Sequence, residues 1–229
     1  MILAAGRGTR LASLGLQVPK ALVDLGGEPL LGRQISYLEA QGVRRIVVNA
    51  HHLAEQVTRF VENYRGGAAV TAIVERHLLG TAGGVRNALD LLGRSPFFVL
   101  YGDVIVGAPL LPMLDAHSRM RVDATLATYE SRETKGKGTV QVDADGLITE
   151  FTEKTDDRPP RPVAINAGLY VVDRSLILDF VPEGSVSDFG HDVFPAALAA
   201  NRRLAAHRLS GLVFDVGTPE VLEAVRELY

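Results

Sequence analysis

The sequence contains no cysteine. That excludes a disulfide framework, a thiolate nucleophile and any cysteine-ligated metal. It fits a reducing compartment, so a cytoplasmic location is expected. No apolar run approaches the length of about 18 residues that a bilayer crossing needs, so no membrane span is expected. The apolar stretch Met1–Ala5 is short and has no basic region before it, unlike a signal peptide. Positive charge is not in excess: 24 basic against 27 acidic residues leave a net charge of -3. This argues against a surface that tracks nucleic acid, while leaving room for a local basic pocket that holds a small phosphate. Twenty of the basic residues are arginine, a bias that genome base composition produces as readily as chemistry. There is no internal repeat and no long linker.

The 229 residues are 47% hydrophobic and 22% charged, which is globular rather than disordered composition. A chain of this size buries about 70% of its surface on folding, enough for a full core. Ile2–Ala5 reads as a buried strand, followed by the glycine turn Gly6-Arg7-Gly8-Thr9-Arg10. Leu30, Leu31, Gln34, Ile35 and Leu38 have helical spacing within 28–41, and Gly42 stops that helix. Strands are expected at 46–50, 69–74 and 97–100, with a helix from Leu53 to the stop at Gly66-Gly67 and another over 83–92. This βαβαβαβ order predicts an α/β fold with a mostly parallel sheet flanked by helices. Ligands of such sheets sit beyond the carboxyl ends of the strands. The glycine turns and Asp103 fall at that edge.

A helix near 109–120 leads to a strand at 124–129, and from about residue 130 the pattern changes. Residues 139–142 and 147–151 read as a hairpin turning at Asp145-Gly146. A strand at 164–172, helices at 175–180 and 190–200, and short strands at 204–209 and 212–215 follow. Pro219 opens a last helix to Leu228. One domain over 1–229 is expected, with a first lobe to about 130, a second from about 131 to 210, and a closing strand and helix from about 211.

Gly6 and Gly8 can bring backbone amides onto an anion, with Thr9 and Arg10 as further donors and Lys20 as a second charge. The turn is not a dinucleotide fingerprint, whose third glycine is replaced by Leu11, nor a Walker loop, since no Gly-Lys-Ser or Gly-Lys-Thr is present. Asp103 and Asp215 each end a strand-like segment. Two such acids at one sheet edge suit Mg²⁺, which prefers carboxylate and phosphate oxygens. The plainer alternative is an aspartate capping its own turn. His51, His52 and His191 have no spacing that demands a metal and read as structural.

The run Leu3-Ala4-Ala5-Gly6-Arg7-Gly8-Thr9-Arg10-Leu11, then Pro19-Lys20-Ala21-Leu22 and Gly26-Gly27-Glu28-Pro29-Leu30-Leu31, resembles the signature of sugar-1-phosphate nucleotidyltransferases. The likeness continues through Gly102-Asp103, Glu153-Lys154, Asn166-Ala167-Gly168 and Asp215-Val216-Gly217-Thr218-Pro219. It implies a Rossmann-like lobe with a smaller sugar-binding lobe, a GT-A-like nucleotidyltransferase fold. It also implies Mg²⁺, a nucleoside triphosphate and a sugar 1-phosphate as substrates, and pyrophosphate as leaving group. By the same resemblance Leu3, Ala4, Ala5, Gly6, Gly8, Thr9 and Arg10 hold the triphosphate. Lys20 neutralises charge near the α-phosphate, and Asp103 and Asp215 share the metal. Lys154 meets the sugar's phosphate, and Gly138, Glu153 and Asn166 meet the sugar. Leu79-Gly80-Thr81-Ala82-Gly83-Gly84 resembles the base loop, with Gly80 and Thr81 as backbone contacts.

The likeness is strongest to the small heptose- and mannose-1-phosphate guanylyltransferases and to the uridylyltransferase of cell-wall sugar recycling. Asn49–Leu53 and the Leu79–Gly84 loop favour the former, so GTP is the expected nucleotide and UTP the alternative. Relatives usually carry a few residues before the first motif, so the first strand is expected to be short. No β-helix or second catalytic domain is expected after Tyr229, and a homo-oligomer is left open. A non-catalytic nucleotide-sugar sensor would keep the pocket but lose the reactive charges. Arg10, Lys20, Asp103, Lys154 and Asp215 are all present.

Overall fold

The computed structural model describes residues 1–6, 8, 18–93, 96–155 and 159–229, with the side chains of 154 and 155 left aside. In chain order its elements are β1 (Ile2–Leu3), α1 (Leu30–Ala40), β2 (Arg45–Ala50), α2 (Ala54–Glu62), β3 (Ala69–Val74), α3 (Gly80–Ala88), β4 (Phe97–Tyr101), β5 (Val104–Val106), α4 (Leu111–Met120) and β6 (Ala124–Ser131). Then come β7 (Lys137–Val142), β8 (Ile148–Thr155), β9 (Val163–Val172), α5 (Arg174–Phe180), α6 (Phe194–Ala199), β10 (Leu204–Arg208), β11 (Val213–Asp215) and α7 (Pro219–Arg226). They form two compact units that interleave along the chain. The first holds residues 1–78, 100–107 and 212–229, and the second 79–99 and 108–211.

In the first unit β1 pairs in parallel with β2 and with the end of β4, and β2 pairs in parallel with β3. The near-continuous burial of Ile46–Ala50 is what a central parallel strand requires. α1 buries Leu30, Leu31, Ile35 and Leu38, and its end is set by Gly42 at φ 87°. β5 and β11 make a separate antiparallel pair. Behind it Val23, Leu25, Leu30, Ile105, Val216, Leu222 and Val225 close a core. Each fully buried leucine there contributes about 1.5–3 kcal/mol. α7 starts with Pro219 after Thr218, whose hydroxyl accepts the Val221 N–H. Arg33 stacks 3.8 Å from the centre of the Tyr229 ring, holding the chain after α7 against this unit.

The second unit is mixed. β10 runs parallel to β6, β6 antiparallel to β9, and β7 antiparallel to both β8 and β9. Gly146, at φ 81°, makes the expected hairpin turn, and Asp143 Oδ1 accepts the N–H groups of Asp145 and Leu147. Beneath the β7–β8–β9 layer Phe151, Tyr170, Phe189 and Phe194 pack with ring centres 5.1–5.3 Å apart.

The mostly parallel α/β architecture is thus as expected, with several local differences, three of which follow. β5 is a three-residue strand, too short to stand out by periodicity. α3 begins at Gly80 rather than 83, because the Ser187 carbonyl accepts the N–H groups of Ala82 and Gly83. The helix expected over 190–200 is split into a π-turn, Phe189–Val193, and α6. Asp188 caps the π-turn by accepting from Gly190 and His191 N–H. Among the described residues no helix is long and apolar enough to cross a membrane.

Candidate active site

The parallel strands of the first unit end on a buried polar relay. The Ala4 N–H, just past β1, donates to Asn49 Oδ1 at 2.8 Å, and Asn49 Nδ2 donates to Glu75 Oε1 at 2.7 Å. Asn49 and Glu75 are 1% and 3% exposed, so neither can exchange its partner for water. His51 Nδ1 donates to the Glu75 carbonyl, a structural use of that histidine as expected. The relay fixes where the chain leaves Leu3 and Ala4 and enters the glycine turn. Ala4 and Ala5 are buried, and Gly6 is exposed.

Gly8 adopts φ 61°, a left-handed conformation that favours glycine, and a Cβ there would stand 3.1 Å from the Lys20 Cβ. Gly8 and Lys20, twelve positions apart, are therefore neighbours. Lys20 opens a 3-10 turn, Lys20–Leu22, after Pro19. Its Nζ donates to Asp103 Oδ2 at 2.7 Å. The two side chains are 13% and 27% exposed, so the pair is far less screened than a surface one.

Asp103 sits in the tight turn between β4 and β5, and Gln34 of α1 holds that turn on both sides. Its Nε2 donates to the Tyr101 carbonyl at 2.9 Å and to the Val104 carbonyl at 2.7 Å. Val216 N–H donates to the Asp103 carbonyl, and Asp215 stands opposite Val104 in the β5–β11 ladder. Gly8, Lys20, Asp103 and Asp215 are thereby gathered in one unit. Thr9 and Arg10 lie outside the described residues. Among the described residues no group of three or more metal-ligating side chains gathers. A divalent ion on Asp103 and Asp215 would complete its shell with phosphate and water oxygens, a donor set that suits Mg²⁺.

The second unit brings together three residues expected to meet the sugar, Gly138, Glu153 and Asn166. The ladder places Gly138 beside Glu153 on β8 and Asn166 on β9. A Cβ at Gly138 would meet Glu153 Oε2 at 2.9 Å and Asn166 Cβ at 3.5 Å. Asn166 has a conformational task as well. Its Oδ1 accepts the Gly168 N–H, and its Nδ2 donates to the buried Tyr170 hydroxyl, across an irregularity where Ala127 of β6 faces Ala167–Leu169 of β9. The backbone of Lys154 follows Glu153 on β8, while its side chain lies outside the described residues.

Gly80 and Thr81 open α3 against a segment about a hundred residues later. The Thr81 hydroxyl donates to Asp188 Oδ2 and accepts the Phe189 N–H. Sequence reasoning missed Gln34, Asn49, Glu75 and Asp188 as site-forming residues. For Gln34 a signal existed: a polar side chain on an otherwise apolar helix face.

The chain belongs to the nucleotidyl transferase family, whose match covers residues 1–229. It is 33% identical over 222 residues to the mannose-1-phosphate guanylyltransferase of Mycobacterium tuberculosis, covering 96% of this chain and 61% of that protein. It is 35% identical over 228 residues to the mannose-1-phosphate guanyltransferase of Candida albicans, with the same coverage. The chain thus spans about 61% of the length of these curated relatives. The crystal structure of HddC from Yersinia pseudotuberculosis complexed with GMP-PN superposes with a TM-score of 0.85 at 28% identity, covering 99% of this chain and 97% of that one. Apo-UDP-glucose pyrophosphorylase, at 16% identity, covers 100% of this chain and 97% of its own with a TM-score of 0.80, and shares the fold.

Proposed function

We propose that this protein transfers the nucleoside monophosphate of GTP to a mannose- or heptose-type sugar 1-phosphate, giving a GDP-sugar and pyrophosphate. The observation that carries the proposal is Lys20, lodged against Gly8 and paired with Asp103, at the carboxyl edge of the parallel strands. The mannose-1-phosphate guanylyltransferase relatives favour guanine and mannose, and the GMP-PN complex of HddC favours guanine.

The reaction needs no side-chain nucleophile, because a phosphate oxygen of the sugar 1-phosphate is already anionic at neutral pH. That oxygen bonds to the α-phosphorus, the bond from the α-phosphorus to the oxygen bridging the β-phosphate breaks, and pyrophosphate leaves. The protein's task is to align two anions and screen their repulsion. Backbone groups of Ala5, Gly6, Gly8 and Thr9 are read as the cradle of the triphosphate, and the Arg10 fork as the contact to the leaving phosphates. Lys20 neutralises charge near the α-phosphate. Asp103 and Asp215 would hold Mg²⁺, which would supply positive charge to offset that of the phosphates.

In the second unit, Gly80 and Thr81 present backbone groups to the base, and Lys154 meets the sugar's phosphate. Glu153 accepts from sugar hydroxyls. Asn166 keeps a second N–H and a second lone pair for them beyond its two internal bonds. The test is pyrophosphate release from each of four nucleoside triphosphates with mannose, heptose, glucose and N-acetylmuramate 1-phosphates. The proposal expects the highest kcat/KM with GTP and a mannose- or heptose-type acceptor. Preference for UTP with N-acetylmuramate 1-phosphate would overturn the base and sugar assignment, and no release from any pair would overturn the activity.

A further inference from the structure

The Glu153 carboxylate lies against two glycines from different elements. A Cβ on Gly138 of β7 would stand 2.9 Å from Glu153 Oε2 and 2.9 Å from the Phe151 ring. A Cβ on Gly190, inside the π-turn, would overlap that same Oε2 and approach Phe151 to 3.2 Å. Neither glycine has a positive φ. Backbone conformation therefore does not call for glycine at either place; space beside one carboxylate does.

Resting on the reading that Glu153 meets sugar hydroxyls, we infer that Gly190 is a positioning residue for sugar binding. It forms with Gly138 a slot that sets the position of the Glu153 carboxylate. The Gly190 wall is held in place: its N–H donates to Asp188 Oδ1 at 2.8 Å, while Asp188 Oδ2 accepts the Thr81 hydroxyl at 2.8 Å. The floor is Phe151, which packs on Phe194 in the aromatic cluster. A methyl group added at Gly190 meets a braced backbone on one side and the end of a flexible side chain on the other. The side chain yields, so the fold survives and the carboxylate moves.

The experiment is steady-state kinetics of Gly190→Ala, Glu153→Ala and the double variant, with thermal unfolding alongside. The substrates are GTP and the sugar 1-phosphate that the wild type accepts. Gly190→Ala should raise KM for the sugar 1-phosphate about tenfold or more, leaving KM for GTP within about twofold. In the Glu153→Ala background the same methyl should add nothing, because the group it displaces is gone. Gly138→Ala pushes on the same oxygen from the other wall. It also crowds the Phe151 ring, so where it folds it should give the same split; if Gly190→Ala does not fold, the double variant with Glu153→Ala should, and its failure to fold would overturn the slot. A sugar KM unchanged in the glycine variants but raised in Glu153→Ala would overturn the slot and leave the proposed function standing. An unchanged sugar KM in Glu153→Ala would overturn the sugar role of Glu153, and the slot with it.

Discussion

Lys20 and Asp103, 83 positions apart, meet at 2.7 Å in a partly buried ion pair. Each stood out alone in the sequence, one as an expected phosphate-facing cation and the other as an expected metal-facing acid. Their pairing adds a physical consequence: the carboxylate proposed to bind a cation already faces one.

Asp103→Asn removes the charge and keeps the shape. The Gln34 clamp acts on the carbonyls of Tyr101 and Val104, not on the Asp103 side chain, so the turn itself should persist. Turnover should fall at least about 100-fold, equivalent to about 2.7 kcal/mol in the barrier. The thermal midpoint should shift by no more than a few degrees. Unchanged pyrophosphate release at saturating Mg²⁺ would remove Asp103 from the metal site.

Asn49 is the hinge of the relay from Ala4 to Glu75. Asn49→Asp keeps an acceptor for the Ala4 N–H but replaces the donor to Glu75 with a second buried carboxylate. Repulsion and burial raise the folded-state proton affinity of the introduced carboxylate, so the folded variant binds more protons than its unfolded chain. Its deficit relative to wild type should therefore shrink as pH falls. At neutral pH the lost donor alone costs about 1–3 kcal/mol. Chemical denaturation at several pH values measures this, and a deficit that grows on acidification contradicts the relay.

Glu39 provides a pH test remote from the site. Its pKa lies below the ordinary 4.5, chiefly because its carboxylate accepts the Ala68 N–H, with the Tyr64 hydroxyl as a second donor. Desolvation, followed by the same contact with Glu39, raises Tyr64 to about 12. A depressed carboxylate contributes stability above its unfolded pKa, and loses it as pH falls through the folded value. Glu39→Gln should therefore flatten the loss of stability below about pH 4.5. An unaltered acid limb in denaturation against pH would contradict it.

The order of elements along the first unit was legible because parallel strands and glycine turns are local patterns, and the same patterns singled out the residues proposed for its site. The supports were not, since each joins distant segments. The cap that starts α3 at Gly80 comes from Ser187, and the partner of the Thr81 hydroxyl is Asp188. Gly190 looked like a residue within a helix until Glu153 was placed against it. Asn166 was read only as a sugar contact, and its second task depends on Tyr170 four residues on. A single sequence shows which residue types are present, but not which carboxylate a glycine makes room for.

The central claim is that bond-breaking occurs at the α-phosphorus of GTP and that the acceptor is a sugar 1-phosphate. Following radiolabel from GTP marked separately at the α- and γ-phosphates, with and without mannose or heptose 1-phosphate, tests it most directly. The α-label should enter a GDP-sugar and the γ-label pyrophosphate, both only when the sugar phosphate is present. Appearance of the γ-label on the sugar phosphate, or its release as orthophosphate without an acceptor, would contradict the account.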